Sequence, residues 1–201
     1  MLVQGIKSRP TYTGLTIDPN ARRHLFALEG EGALALGERS AELNHEVLQR
    51  AEILYVAAGS NAARYDRSLT ALGASDFWQA PSVAVLVNRL EVTLRTAKMG
   101  TRLYLSGTEG FIGETMQVAL ASAIDFNSIL TEHRGSSARR VQCVHCKGIT
   151  GNVSTSPFQC SHCQLQLLVR DHYSRRLGAF QGVNVDAEDP GTAPPPEVLF
   201  P

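Results

Sequence analysis

Net charge, long apolar runs and an export signal are all missing from this sequence. Nineteen lysine and arginine residues balance nineteen aspartate and glutamate residues, which argues against binding nucleic acid through an excess of positive charge. No apolar run approaches the roughly 20 residues that a membrane-spanning helix needs. The first residues, MLVQGIKSRPTYTG, contain no apolar stretch before a small-residue cleavage site. We therefore expect a cytoplasmic protein with neither membrane nor nucleic acid as a partner.

The pattern of the first two thirds is that of a folded α/β protein. Hydrophobic residues make up 43% of the 201 residues and charged residues 19%, which is typical of globular chains. Apolar runs at 24–28, 53–58, 102–107 and 129–131 alternate with helix-like segments at 40–50, 61–72, 81–99 and 111–124. This alternation predicts a doubly wound parallel sheet. Phe77 and Trp78 fall outside these elements and are interpreted as a hydrophobic plug or subunit contact. No internal repeat is apparent.

Composition divides the chain into four predicted segments. Residues 1–21 form an N-terminal arm without periodicity, and residues 22–138 form the α/β body. Residues 139–185 form a compact cysteine-containing module. Residues 186–201 hold five of the nine prolines and four acidic residues, a composition that favours an extended tail.

The four cysteines form two C-x2-C pairs, Cys143 with Cys146 and Cys160 with Cys163. Two such turns can complete a tetrahedral shell of four thiolates around one metal ion. Because the expected compartment is reducing and no cysteine is left over, metal binding is favoured over a redox pair or a disulfide framework. The ligand set alone suits zinc and iron equally.

His145 and His162 occupy the same position in the two cysteine pairs. Either could exchange with a thiolate or assist electron transfer. Four thiols already complete the shell, however, so both histidines are interpreted as polar residues on exposed turns.

Three segments of the body resemble the pyridine-nucleotide domain of phthalate-dioxygenase-reductase-type flavoproteins. HLFALEGEGALA at 24–35 is similar to the family pattern H-L-F-x-A-G-G-x-G-x-T-P, and LYLSGTEGFI at 103–112 to L-Y-x-C-G-P-x-G-F/M-I/M. ILTE at 129–132 resembles the closing I-x-x-E. The resemblance implies a Rossmann-like open parallel sheet of the ferredoxin-reductase nucleotide-domain type. A small rubredoxin-like or zinc-ribbon module with the four cysteines would follow it.

The residues that meet the nucleotide in that family are altered here. Glu29 and Glu31 flank the turn that would receive a pyrophosphate, and like charges about 4–6 Å apart cost a few kcal/mol at an effective dielectric near 20. Ser106 replaces the family cysteine near the nicotinamide, and the arm is too short for a flavin-binding barrel. We expect this chain to bind neither NAD(P)H nor flavin. The degenerate turn comprises Glu29, Gly30, Glu31, Gly32, Ser106 and Gly107.

The segment LLVRDHYSRRLGAFQGV at 167–183 is similar to the signature of the DmmA-like subunit of bacterial dimethylamine monooxygenase. The likeness extends through the cysteine pairs and the tail. It implies a subunit of a heme-dependent oxidative N-demethylase that converts a secondary methylated amine to a primary amine and formaldehyde. A separate NAD(P)H-dependent flavin and iron–sulfur reductase subunit would supply the electrons.

The two resemblances do not decide whether the four cysteines bind iron or zinc. The reductases carry an iron–sulfur domain where this chain has its cysteine module, which favours a rubredoxin-like iron that relays electrons. Lys147 and Gln164 stand where rubredoxin knuckles usually have glycine, which favours a structural zinc in a non-redox scaffolding subunit.

The polar segment after the second cysteine pair is a candidate surface for a partner subunit. Tyr173 could anchor such a contact while Arg175 and Arg176 pair with carboxylates. The alternative is an ordered turn whose charges satisfy one another. No catalytic residue is expected, because the neighbouring acid, histidine and serine within 171–174 cannot converge on one substrate.

Overall fold

The computed structural model describes residues 8–59 and 61–201. These residues form two compact units. The α/β unit comprises residues 12–135, and the cysteine unit comprises residues 8–11 and 136–201. The four predicted segment boundaries stay predictions. None of the helices within the described residues is long and apolar enough to cross a membrane.

A five-stranded parallel sheet forms the centre of the α/β unit, with strand order β3-β2-β1-β4-β5. From β1 to β3 the chain adds strands towards one edge of the sheet, and it then returns to add β4 and β5 on the other side of β1. The adjacent strands β1 and β4 therefore mark the switch point of a doubly wound sheet. The elements are β1 (Arg23–Glu29), α1 (Gly32–Gly37), α2 (His45–Leu48), β2 (Ala51–Val56), α3 (Ala62–Thr70), β3 (Asp76–Ala80), α4 (Val83–Leu94), β4 (Thr101–Gly107), α5 (Glu109–Ala121), a 3-10 turn (Phe126–Ser128) and β5 (Ile129–His133).

Each face of this sheet carries its own hydrophobic core. Residues 24–28 of β1 are all buried, as expected for a strand covered on both faces. Alternate strand residues pack against α1, α2 and α3 on one face, including Phe26, Leu28, Ile53 and Tyr55. The others pack against α4 and α5, including Leu25, Ala27, Leu54 and Val56. The predicted fold class, an α/β parallel sheet followed by a four-cysteine module, is confirmed.

Several local predictions were wrong or incomplete. Strand β3 was not predicted: Phe77 and Trp78 belong to it, pair with β2 at Ile53 and Leu54, and pack partly buried against the two cores. The helix predicted from Ser40 is a single turn, α2, because Asn44 rather than Ser40 accepts the capping hydrogen bond from the N–H of Val47. The helix predicted to reach residue 99 ends at residue 94, and helix α1 within 32–37 was not predicted.

The cysteine unit contains a second five-stranded sheet, with strand order β7-β6-β11-β10-β9. Only the pairing of β6 with β11 is parallel. The strands are β6 (Arg139–Cys143), β7 (Ile149–Val153), β8 (Thr155–Ser156), β9 (Phe158–Gln159), β10 (Gln166–Ser174), β11 (Ala179–Asn184) and β12 (Glu197–Val198).

Part of the predicted extended tail is held by this unit. Strand β12 within the tail pairs antiparallel with β8. Phe200 lies over the Arg139 guanidinium, 3.9 Å from the ring centroid, and Phe180 lies at the same distance from it. The end of the tail is therefore packed against the sheet.

Helix α1 approaches strand β4 so closely that only glycine fits at residue 32. A Cβ atom on Gly32 would lie 2.1 Å from the carbonyl oxygen of Ser106, whereas a Cβ on Gly37, in the same helix, would have no neighbour within 4 Å. We expect Gly32→Ala to lower the free energy of unfolding by at least 1–3 kcal/mol through overpacking. Gly37→Ala should leave it unchanged or raise it by about 0.5–1 kcal/mol. Urea unfolding of both variants measures the difference, and equal effects would contradict this packing.

Candidate metal centre

Two turns bring the four predicted cysteines together. Cys143 ends β6, and Cys160 directly follows β9. All four Sγ atoms lie within 4.8 Å of one another, and none of the cysteines is in a disulfide. The spacing is 3.7 Å between Cys143 and Cys163 and 3.8 Å between Cys146 and Cys160. The sulfurs therefore surround one point.

The donor set fits a tetrahedral metal ion. With metal–sulfur bonds of about 2.3 Å, the edges of a regular tetrahedron of sulfurs measure about 3.8 Å. Two of the measured Sγ–Sγ distances match that value. Four soft thiolates in this arrangement suit zinc or a single iron. Cys143, Cys146, Cys160 and Cys163 would hold the ion.

The backbones of the two cysteine turns repeat each other. In each turn the first cysteine donates its N–H to the carbonyl five residues later and accepts from the N–H four residues later. These four bonds are Cys143 to Gly148, Lys147 to Cys143, Cys160 to Leu165 and Gln164 to Cys160, at 2.9–3.0 Å. We call residues 143–148 the first knuckle and residues 160–165 the second knuckle.

The residue after the second cysteine of each knuckle has a left-handed backbone. The φ angle is 64° at Lys147 and 65° at Gln164, a region that favours glycine. The knuckle conformation is thus kept without glycine, at a cost of about 1–2 kcal/mol for each residue.

Sequence analysis missed two glutamines that support the knuckles. The Gln142 side-chain amide donates to the carbonyl of Lys147 at 3.2 Å, and the Gln159 amide donates to the carbonyl of Gln164 at 3.3 Å. The signal was present, because Gln-Cys-x-His-Cys occurs at both 142–146 and 159–163. It is a short internal repeat, contrary to the initial interpretation.

The second knuckle stabilises one thiolate strongly. Burial raises the pKa of Cys160, but the N–H groups of Cys163 and His162 donate to its sulfur and bring the pKa down to about 6. For Cys163 the N–H of Leu165 lowers the pKa, whereas burial and the three neighbouring sulfurs raise it to about 12. Thiols this close cannot all ionise without a cation, which would favour the thiolate form of all four.

The centre has a buried side and an exposed side. Cys143 and Cys160 are completely inaccessible, and both belong to the hydrophobic core of the unit. Cys146 and Cys163 are only partly buried. The second cysteine of each knuckle therefore brings the centre towards the surface.

The degenerate turn lies at the switch point of the other sheet. The Glu29 carboxylate accepts hydrogen bonds from the backbone N–H and the hydroxyl of Thr108, at 3.0 and 2.6 Å. Thr108 caps α5, so the helix N-terminus offsets the carboxylate charge. Glu31 is exposed, and no capping hydrogen bond joins its side chain to α1. The two acids thus have different surroundings.

The other members of the turn serve the packing of the sheet. Ser106 is completely buried and donates its hydroxyl to the carbonyl of Glu132 at 2.8 Å. Gly30 has a φ angle of 48°, and a Cβ on Gly107 would lie 2.7 Å from the Cβ of Glu29. Glu29, Gly32, Ser106 and Gly107 are therefore brought together by close packing.

The three docking candidates lie on one hairpin in different environments. Arg175 and Arg176 are exposed in the turn between β10 and β11. Tyr173 is half-buried, and its ring meets Phe180 edge-on at a centroid distance of 5.1 Å. The tyrosine is therefore packed against the core of its own unit.

Asp171, the single acid within residues 139–185, is held by two arginines. Arg9 and Arg139 both form ion pairs with its carboxylate. Burial raises the pKa of Asp171, but the two guanidinium groups outweigh burial and hold the pKa below its usual range. This acid is committed to contacts inside the unit.

Comparisons with protein families and curated proteins cover almost the whole chain. The model described as dimethylamine monooxygenase subunit DmmA-like, N-terminal domain, matches residues 4–129, and the corresponding C-terminal domain matches residues 140–183. The heme-dependent oxidative N-demethylase delta subunit of Ectopseudomonas mendocina (strain ymp) is 33% identical over 183 residues, which is 91% of each chain.

Solved structures give a weaker likeness. A ferredoxin reductase in carbazole 1,9a-dioxygenase (FAD apo form) matches 61% of this chain and 34% of its own, with 13% identity and a TM-score of 0.39. A flavohemoglobin from Malassezia yamatoensis with bound FAD and heme matches 60% and 33%, with 14% identity and the same TM-score. This chain spans about a third of each structure, and TM-scores this low assign no activity.

The left-handed residues provide a test of the knuckle backbone. We expect Gln164→Gly to raise the free energy of unfolding by about 0.5–1 kcal/mol, because it relieves the strain of a positive φ. Gln166→Gly, two residues later in β10, should lower it by a similar amount, since glycine weakens a regular strand. Chemical denaturation of both variants checks the opposite signs. A loss of stability in both would show that residue 164 is unstrained.

Proposed function

The chain belongs to the DmmA-like family of dimethylamine monooxygenase subunits, and we propose on that premise that it serves in a heme-dependent enzyme that oxidatively demethylates secondary amines. Its relative in Ectopseudomonas mendocina is named as the delta subunit of a heme-dependent oxidative N-demethylase. A methylated secondary amine would yield a primary amine and formaldehyde. The partners would be a heme-containing subunit and an NAD(P)H-dependent flavin and iron–sulfur reductase subunit.

Within that complex we assign this chain the relay of electrons from the reductase to the heme subunit. Iron bound by the four thiolates would supply one-electron chemistry. The observation that carries the assignment is the exposure pattern, because Cys146 and Cys163 reach towards the surface while Cys143 and Cys160 are completely buried. The buried side is shielded from water, and the exposed side would bring a donor or an acceptor close.

The protein would tune such a centre through hydrogen bonds to sulfur. The N–H groups of His162 and Cys163 point at Cys160, and that of Leu165 points at Cys163. Donors of this kind stabilise negative charge on the sulfurs and are a main determinant of the potential of iron–thiolate sites.

The α/β unit would then act without a nucleotide of its own. We infer that neither NAD(P)H nor flavin binds at the degenerate turn, because the Glu29 carboxylate occupies the hydrogen-bond donors of Thr108. Glu31 adds an exposed negative charge to the same turn. Both would repel a pyrophosphate.

A second candidate function is a non-redox scaffold with a structural zinc. It is favoured by the left-handed φ angles of Lys147 and Gln164, where rubredoxin knuckles usually have glycine. Zinc would then supply folding energy to a unit with a small core.

Metal analysis and spectroscopy of the native complex separate the two candidates. We expect stoichiometric iron, with a red thiolate charge-transfer absorption that bleaches on reduction. Cys163→Ser should slow reduction of the heme at least tenfold while the subunits stay associated, because the exposed side of the centre loses a ligand. Stopped-flow absorbance follows the heme, and gel filtration monitors assembly. Stoichiometric zinc, or unchanged heme reduction in an intact Cys163→Ser complex, would overturn the relay and favour the scaffold.

The partner would dock through Arg175 and Arg176, with Tyr173 fixing the hairpin beneath them. Residues 139–185 carry six basic residues and one acid, Asp171, and that acid is already paired with Arg9 and Arg139. This excess of positive charge suits an acidic surface on a partner subunit.

Charge reversal tests this surface. We expect the double variant Arg175→Glu with Arg176→Glu to weaken association with the partner subunits about tenfold, or about 1.4 kcal/mol, with the largest effect at low salt. Arg64→Glu with Arg67→Glu makes the same charge change on two exposed residues of α3 and should have little effect. Biolayer interferometry at two ionic strengths measures both, and equal weakening by the two pairs would remove the hairpin as the docking surface.

A further inference from the structure

The two histidines of the knuckles occupy the same place in the sequence repeat but different surroundings in the structure. We propose that His162 is a positioning residue of the metal centre, holding the second knuckle against the backbone that follows the first, and that His145 has no such part. The proposal rests on the metal-binding part of the proposed function, since a positioning residue needs a centre to position.

The His162 ring bridges the two knuckles. Its Nε2 lies 3.1 Å from the carbonyl oxygen of Ile149, the first residue of β7. A carbonyl can only accept, so Nε2 carries the proton in this contact. The backbone N–H of the same residue donates to the sulfur of Cys160. One residue thus connects a ligand of the second knuckle with the strand that follows the first.

Gly148 makes this bridge possible. A Cβ atom at residue 148 would lie 2.4 Å from Cδ2 and 2.5 Å from Cγ of the His162 ring. The ring therefore lies directly on the glycine backbone, whose carbonyl accepts the N–H of Cys143 at 2.9 Å. A side chain at residue 148 would push the ring away from Ile149 and disturb the turn that holds Cys143.

A second contact beside the ring joins the same two segments. The hydroxyl oxygens of Thr150 and Ser161 lie 3.0 Å apart, and the N–H of Ser161 donates to the Thr150 hydroxyl at 3.2 Å. The bridge is therefore a pair of adjacent polar contacts that fix the separation of the two knuckles.

The first knuckle cannot form the equivalent bridge. Leu165 stands in the second knuckle at the position that corresponds to Gly148. A Cβ at Gly148 would lie 2.4 Å from the His162 ring, so a leucine at the corresponding position leaves no room for the same contact by His145. Both histidines are exposed, but the His145 ring makes no hydrogen bond to any residue within 8–59 or 61–201. His145 is therefore a matched control for His162.

Metal release from the full-length protein tests the proposal. The protein is loaded with zinc, and release to the chromogenic chelator 4-(2-pyridylazo)resorcinol is followed by absorbance. We expect His162→Ala to accelerate release about tenfold, and His145→Ala to stay within twofold of the unaltered protein. His162→Gln, whose amide can still donate to a carbonyl, should be intermediate. Gly148→Ala should resemble His162→Ala, and it provides a second route to the answer if one variant folds poorly.

The visible spectrum of the cobalt-loaded protein separates positioning from general stability. Displacing one knuckle changes the ligand field, so the cobalt bands should shift in His162→Ala and Gly148→Ala but not in His145→Ala. Equal release rates and identical cobalt spectra for His162→Ala and His145→Ala would overturn the role of His162 and leave the metal centre intact. Failure of the unaltered protein to hold zinc or cobalt would overturn the metal centre itself, and with it this proposal.

Discussion

Four sulfur atoms held within 4.8 Å of one another are the constraint on which the cysteine unit depends. Among the residues that the structure describes, the hydrophobic core of this unit has eight buried members, and two of them are the ligand candidates Cys143 and Cys160. The neighbouring sulfurs lower the pKa of Cys160 and raise that of Cys163, so a cation is needed for all four cysteines to be thiolates together. The knuckle hydrogen bonds and the His162 contact all converge on this point, so metal binding and folding of the unit are coupled.

The α/β unit is a doubly wound parallel sheet, and the polar groups of the turn at its switch point form hydrogen bonds within the unit. Gly32 still allows the close approach of helix and strand that this architecture needs. The Glu29 carboxylate, however, satisfies donors of Thr108 at the switch point, and Ser106 donates its hydroxyl to a neighbouring strand. Packing and ligand recognition are separate requirements on the same few residues, and the contacts of Gly32, Glu29 and Ser106 described here are packing contacts and hydrogen bonds within the unit.

Charge is distributed unevenly along a chain whose total is zero. The segment 139–185 is strongly basic, whereas the tail 186–201 carries four acids and no base. Asp171 forms ion pairs with Arg9 and Arg139, and the Arg139 guanidinium is enclosed by the rings of Phe180 and Phe200. The arginines of the hairpin turn are exposed instead. A whole-chain charge balance therefore says little about the surface that one unit offers to a partner.

Much of the fold could be predicted from local pattern. The apolar runs that correspond to β1, β2, β4 and β5 predict buried parallel strands, because a strand covered on both faces is apolar along most of its length. The edge strand β3 could not be predicted by the same means, since it begins at Asp76 and Gln79 interrupts its few apolar residues. The short helix α1 begins and ends at glycines, Gly32 and Gly37, which disfavour helix in a sequence pattern, although Gly32 is what permits the close packing of this helix. Ser40 and Asn44 are both good capping residues, and only the path of the chain decides which of them meets a free N–H.

The sequence by itself determined the α/β class, the two cysteine pairs and the family, because hydrophobic period and ligand spacing are local properties of the chain. Tertiary structure alone decided which cysteines reach the surface, which acid turns inward and which histidine bridges the knuckles. His145 and His162 stand at the same position of the Gln-Cys-x-His-Cys repeat, but one knuckle ends in glycine and the other in leucine. Such differences depend on what lies opposite in space, which a repeat in the sequence cannot specify.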